Sequence, residues 1–270
     1  MGSRTDLLQL SQDAVDVWLA FTEEMPSAEL LSRYRELLTP EELARGDRFH
    51  FEHLRQQYLV TRALVRTVLS RYASPAPHEW RFSVTKHGRP EIAWPEVLPA
   101  LAFNLSHTKG LVACAVGRSR ELGVDVERLR FDRDLVPLAT RYFAEEEVRE
   151  LNALPPAQQP VRFFEYWTLK ESYIKARGEG LSIPLERFSF ALSPQPSTLT
   201  FRPEPGDSPS RWQFQLLRPS PDHLLALCTQ LDWASPMRMT VRQVVPLSQE
   251  WQRPCEVLRI APASVPHSGS

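Results

Sequence analysis

Over residues 53–72, Tyr58, Val60, Ala63, Leu64, Val65, Val68 and Leu69 recur at helical spacing with Arg55, Arg62 and Arg66 interleaved. This predicts a long helix whose apolar side is core. A second long helix is predicted over about 158–177, ended by Gly178, which suits a left-handed C-terminal cap. A shorter one should start at Thr39-Pro40-Glu41-Glu42, where a capping Thr, a Pro at the first helical position and a Glu three residues after the cap coincide. Elsewhere the pattern shortens to runs of β-formers at 101–105, 111–116, 122–126, 188–192, 212–217 and 223–230, separated by turn residues such as Lys109-Gly110 and Arg118-Ser119. Proline clusters at Pro75 and Pro77, at Pro155 and Pro156, and over 194–209 mark loops.

The order helix, loop, strand, then two strands joined by a tight turn occurs once before Arg120 and once after it. The stretches from Asn104 to Ala115 and from Leu217 to Cys228 share a strand-turn-strand pattern. A pseudo-repeat follows, with a boundary near 118–121 and halves spanning 1–119 and 120–270.

Composition narrows the class. With 270 residues, 42% of them hydrophobic, the chain can build one large core or two modest ones. Lys plus Arg (32) nearly balance Asp plus Glu (33), so no global field points to nucleic acid or an anionic membrane, and any phosphate recognition must be local. Cys114, Cys228 and Cys255 are too widely spaced for a zinc or redox pair and read as reduced thiols. Asp6, Asp13 and Asp16 interrupt the N-terminal apolar residues, so no export signal is read there, and no run approaches the roughly 18 apolar residues of a membrane span. A soluble cytoplasmic protein is expected.

Chemistry concentrates in three segments. In Gly123-Val124-Asp125-Val126-Glu127, strand alternation puts Asp125 and Glu127 on one face and the valines on the other. Paired carboxylates repel unless a cation or protons intervene, and such oxygen ligands suit Mg²⁺, which shares substrate phosphates. A strand ending in a solvated acidic edge is the plainer alternative. In the helical Trp167-Thr168-Leu169-Lys170-Glu171-Ser172-Tyr173-Ile174-Lys175, the residues Trp167, Glu171 and Lys175 fall nearly on one face with Lys170 beside it. An ordinary Glu–Lys pair on a solvated helix, with Trp167 in the core, reads equally well. In Phe103-Asn104-Leu105-Ser106-His107, Ser106 and His107 point to opposite faces of a strand, which disfavours a hydrolase dyad, and His107 stands near a turn where it can donate to an anion or serve the structure alone.

Together and in this order, the segments resemble the Sfp-type 4'-phosphopantetheinyl transferase family. That family is similar to this chain in an Asn-x-Ser-His strand end, a Gly-x-Asp-x-Glu strand, a Phe-Ala/Ser-x-x-Glu element (here Phe143-Ala144-Glu145-Glu146-Glu147) and a Trp-x-x-Lys-Glu-Ser-x-x-x-Lys helix. The matching motifs span about 39–190.

The resemblance implies an α+β fold, a pseudo-dimer of two similar halves, each with a small antiparallel sheet and a long helix. The N-terminal half would form a wall for coenzyme A, the C-terminal half would carry the metal and catalytic residues, and the active site would lie between them. It implies a Mg²⁺ site on Asp125, Glu127 and Glu171, with Asp125 and Glu171 the firmer members because some relatives lack an acid at the Glu127 position. Asp125, Glu171 and Lys175 would be catalytic. Coenzyme A would meet Asn104, Ser106, His107, Lys170 and Lys175, together with Thr85, Lys86, Gly88 and Arg89 of a loop for its adenine-nucleotide end. Many relatives carry Lys where Arg89 stands, a change from a point donor to a planar fork. Arg45 matches a coenzyme-contacting Arg of some relatives, though an exposed helix cation reads almost as well.

The implied reaction moves phosphopantetheine from coenzyme A to a serine of an apo acyl or peptidyl carrier domain and releases adenosine 3',5'-bisphosphate. A monomer with no nucleic-acid or membrane partner is expected. Two other classes stay open: another Mg²⁺-dependent phosphate-ester enzyme such as a nuclease or phosphatase, and a non-catalytic carrier-binding module.

Overall fold

A computed structural model describes residues 7–22, 26–118, 121–192, 199–230 and 237–261. In chain order the elements are β1 (Ala14–Phe21), α1 (Ala28–Arg35), α2 (Pro40–Asp47), α3 (Glu52–Leu69), β2 (Arg81–Val84), β3 (Pro90–Trp94), β4 (Ala102–Thr108), β5 (Leu111–Gly117) and β6 (Leu122–Arg128). Then come α4 (Val136–Tyr142), α5 (Glu145–Ala153), α6 (Gln159–Arg177), β7 (Ser189–Leu192), β8 (Leu199–Arg202), β9 (Trp212–Ser220), β10 (His223–Gln230), β11 (Arg238–Val245), β12 (Gln249–Gln252) and β13 (Glu256–Ala261). The architecture is α+β.

The chain divides into two compact units. The first is residues 1–118 with Arg238–Pro254, and the second is 119–237 with 255–270. Residues 119–120 at the expected boundary, the first part of the proline run and the stretch 231–236 lie outside the described residues. Assigning everything after residue 120 to the second half needs correction, because Arg238–Pro254 joins the first unit. There β11 lies parallel to β1, and β12 folds back antiparallel on β11.

In the first unit the sheet order is β12-β11-β1-β5-β4. The β1–β11 pair is parallel, so the all-antiparallel sheet expected here is a mixed one. α3 sets Val60, Ala63, Leu64 and Val68 against Trp18, Val112, Cys114 and Val116. The Thr39–Glu42 capping box forms as predicted. Its Glu42 also pairs with Arg66, a fully buried side chain that donates to the Trp80 carbonyl at 2.9 Å. The periodicity of α3 had put Arg66 among the interleaved polar positions, and a carboxylate from another helix brings it inside instead. β1 escaped the pattern because Asp16 breaks its apolar run. That side chain is buried, accepting from Tyr72 Oη at 2.5 Å and facing Arg242 at 3.4 Å.

The second unit has the sheet order β13-β9-β10-β6, with α6 packed on β6 and β10. Gly178 closes α6 in the left-handed conformation (φ 68°), its N–H donating to the Ile174 carbonyl at 3.0 Å. Phe163 and Tyr173 of α6 join Phe143, Phe188, Phe190, Phe201 and Phe214 in an aromatic core, with ring centroids as close as 4.8–5.1 Å. Within each unit a strand, a long helix and a hairpin follow in order, and the first strand pairs antiparallel with the second strand of the hairpin: β1 with β5, and β6 with β10. That shared topology is the physical content of the pseudo-repeat.

A fully buried ion pair ties α5 to α6 in the second unit. Lys170 Nζ lies 2.8 Å from Glu147, both side chains have no exposed surface, and the ammonium also donates to the Leu185 and Phe188 carbonyls at 2.8 and 2.6 Å. Glu147 in turn accepts from the N–H groups of Ala144 and Phe190 at 3.0 and 2.9 Å. Burial pushes the carboxyl up and the ammonium down, each opposed by its partner. Lys170→Met, which strands a buried carboxylate, should cost about 3–5 kcal/mol in urea denaturation, and adding Glu147→Gln should recover most of that loss.

Candidate functional site

β6 runs beside α6, and the alternation of the strand turns Gly123, Asp125 and Glu127 toward the helix. Glu171 and Lys175, four residues apart, share the helix face that meets them. Lys175 Nζ donates to Asp125 Oδ1 at 2.7 Å, with the Asp125 side chain 6% exposed and that of Lys175 28%. Burial lifts Glu127 to about 7, and the neighbouring charges of Asp125 and Glu171 push the same way while Arg130 and Lys175 oppose them. Burial and the Asp125 charge also raise Glu171, with Lys175 opposing. The two acids of the strand, the glutamate of the helix and the ammonium are therefore one electrostatic unit, and the solvated-edge and solvated-helix alternatives are set aside for them.

The cluster is not a closed ligand cage. Among the described residues no three His, Cys, Asp or Glu side chains are arranged to hold a metal ion, and an ammonium sits on Asp125. Its chemistry still fits a hard divalent cation, since it offers carboxylate oxygens whose mutual repulsion a positive charge relieves.

Lys170 is a correction. Adjacent to Glu171 in sequence, it points into the core toward Glu147 and has no surface with which to meet coenzyme A. The Phe143-Ala144-Glu145-Glu146-Glu147 element, which sequence reasoning left without a role, supplies that buried partner. Its signal was the spacing of a capping box, for Glu147 caps the Ala144 N–H at the start of α5. Trp167 stacks on Phe163 (centroids 5.8 Å apart) as part of the aromatic core.

The remaining expected residues belong to the first unit. Asn104 and Ser106 are buried on one face of β4 opposite Ala115 and Ala113, whereas His107 is exposed and projects from the other face. The strand runs on to Thr108, so His107 stands inside it, and the three residues do not line one wall. β4 is an edge strand of its sheet. Thr85 to Arg89 form the turn between β2 and β3. The Thr85 N–H donates to the Arg89 carbonyl and the Gly88 N–H to the Thr85 carbonyl, both at 2.9 Å, with Gly88 at φ 86° and Lys86 exposed. Phe82 of β2 packs edge-on against Phe103 of β4 and so holds this hairpin to the edge strand. Arg45 is exposed in the last turn of α2. A cleft of about 870 Å³ in the same unit, lined by Trp18, Arg71, Val244 and Glu250 among others, holds none of the expected residues. No helix among the described residues is long and apolar enough to cross a membrane.

Two family models match the chain: "4'-phosphopantetheinyl transferase, N-terminal" over residues 23–119 and "4'-phosphopantetheinyl transferase superfamily" over 121–228. The 4'-phosphopantetheinyl transferase HetI of Nostoc sp. is 36% identical over 197 residues, covering 73% of this chain and 82% of the relative. The 4'-phosphopantetheinyl transferase Sfp of Bacillus subtilis is 32% identical over 202 residues, covering 75% and 86%. A phosphopantetheinyl transferase of Thraustochytrium sp. is 28% identical, covering 80% and 79%. The second model spans both the strand of Asp125 and Glu127 and the helix of Glu171 and Lys175, and alignments above 30% identity run through more than four-fifths of HetI and Sfp, so the chain belongs to the 4'-phosphopantetheinyl transferase family.

Proposed function

We propose that this protein transfers the 4'-phosphopantetheine group of coenzyme A to a serine of an apo acyl or peptidyl carrier domain. Family membership supports the reaction, and the observation that carries its local chemistry is the Asp125–Glu127–Glu171–Lys175 cluster on β6 and α6. In the reaction the carrier serine oxygen forms a bond to the β-phosphorus of the coenzyme. The bond to the bridging pyrophosphate oxygen breaks, and adenosine 3',5'-bisphosphate leaves with the electron pair. Asp125, Glu127 and Glu171 are the residues that would hold Mg²⁺. Bound there, the ion would supply charge neutralisation at the diphosphate and polarise its oxygens. Lys175 offers a second positive charge to the leaving phosphate once it turns from Asp125. Glu171 would take the serine proton, directly or through an intervening water.

On the first unit, Thr85, Lys86, Gly88 and Arg89 of the β2–β3 turn would hold the adenine-nucleotide end of the coenzyme, while His107 of β4 would meet its phosphate oxygens and Asn104 and Ser106 would line the coenzyme site. Arg45 would add a further contact. Paired cations around a flexible glycine suit a terminal phosphate. The protein would act in the cytoplasm as a monomer.

Incubation with coenzyme A, Mg²⁺ and an apo carrier domain should add one phosphopantetheine mass to the carrier, and no gain with any of several carriers would count against the reading. Asp125→Ala should lower the transfer rate on the order of 10²-fold or more while the melting transition stays cooperative. A collapsed fold in that variant would point to a structural aspartate.

The same cluster makes the metal-free protein sensitive to pH. Because folding raises the pKa of Glu127, its contribution to stability is fully present below about 4.5 and is lost as pH rises through about 7. Denaturant midpoints should fall over that window by an amount corresponding to about 3 kcal/mol, and Glu127→Gln should flatten the slope.

A further inference from the structure

We propose that Gly123 is a positioning residue for the carboxylate cluster: its missing side chain lets β6 lie close enough to α6 to set Glu171 and Lys175 against Asp125 and Glu127. A Cβ at residue 123 would stand 2.0 Å from the Ser172 carbonyl oxygen, 2.4 Å from the Ala176 nitrogen and 3.0 Å from the Ala176 Cα. All three are backbone atoms of α6, so no side chain can swing aside to make room. The backbone of Gly123 lies outside the left-handed region, so an alanine could adopt its conformation and the demand for glycine is one of space alone.

The location gives the close approach its consequence. Ser172 and Ala176 each follow directly on a member of the cluster, Glu171 and Lys175, and Gly123 shares its strand face with Asp125 and Glu127. Two strand residues advance about 6.6 Å and one helical turn about 5.4 Å, so two acids of the strand and two charged residues of the helix stay in step for one repeat once the contact at Gly123 fixes the start. Moving the helix off a Cβ to ordinary contact requires a shift of about 1 Å or more. That is enough to open the 2.7 Å Lys175–Asp125 bond and exceeds what metal ligation tolerates.

The inference rests on the proposed cation site, and Mn²⁺ binding to the full-length protein, followed by electron paramagnetic resonance, separates the two. Gly123→Ala should weaken Mn²⁺ binding by at least about tenfold while still melting cooperatively. Leu192→Ala, which hollows the same aromatic core without touching the cluster, should stay within about twofold of wild type even though it melts at a lower temperature. Equal Mn²⁺ binding by Gly123→Ala and wild type would overturn the inference and leave the site reading standing. An equal loss in Leu192→Ala, or loss of the cooperative transition in Gly123→Ala, would mean that the glycine serves the fold alone. A wild-type protein that binds no Mn²⁺ would remove the site and the inference with it. Hydrogen exchange on the wild type gives a second measurement: Mn²⁺ should slow exchange across 123–127 and 171–176 together, and protection of one segment without the other also overturns the inference.

Discussion

Carboxylates repel at short range, and a fold that gathers several of them in a partly buried place must offset that repulsion. Here a strand and a helix are pressed together so that Asp125, Glu127 and Glu171 share one environment, and the molecule answers with Lys175 on Asp125 and with a proton affinity at Glu127 lifted to about 7. Neither answer removes the repulsion of like charges, and the cluster keeps a residual demand for positive charge that a structural ion pair would not have.

The second unit separates this pair of roles cleanly. Lys170 and Glu171 are neighbours in sequence, yet a helix turns successive side chains by about 100°, and the two go to opposite fates. Lys170 is fully enclosed by Glu147 and two backbone carbonyls, a satisfied pair that ties α5 and the approach to β7 onto α6. Glu171 faces the strand carboxylates. The buried pair ties α6 to α5, and α6 presents Glu171 and Lys175 on the side that meets β6.

The repeat of strand, helix and hairpin in the two units shows how one small topology carries different work. In the first unit the helix-facing side of β1 bears Asp16, Trp18 and Ala20, with the aspartate closed off by Tyr72 and Arg242 and the other two packed in the core with α3. In the second unit the corresponding strand bears Gly123, Asp125 and Glu127. A glycine and a second acid where the first unit carries Trp18 and Ala20 turn a closed packing surface into a candidate site without altering the pairing of the strands.

Much of this was legible in the chain itself. Periodicity located both long helices, the Thr39 capping box the start of α2, and Gly178 the end of α6, because these signals are local, fixed by backbone geometry within a turn. Alternation placed Asp125 with Glu127, and helical spacing placed Glu171 with Lys175, for the same reason. What stayed hidden depended on partners distant in sequence. Arg66 reads as an interleaved polar position and Lys170 as a coenzyme contact until Glu42 and Glu147 arrive from other helices, and β11 and β12 rejoin the first sheet through pairing with a strand more than 200 residues earlier. Only tertiary packing decided that the acids of the strand meet the glutamate of the helix and that Lys175 rests on Asp125. A sequence states which side chains share a face of one element, but the distance between two elements is set by the atoms that touch where they cross.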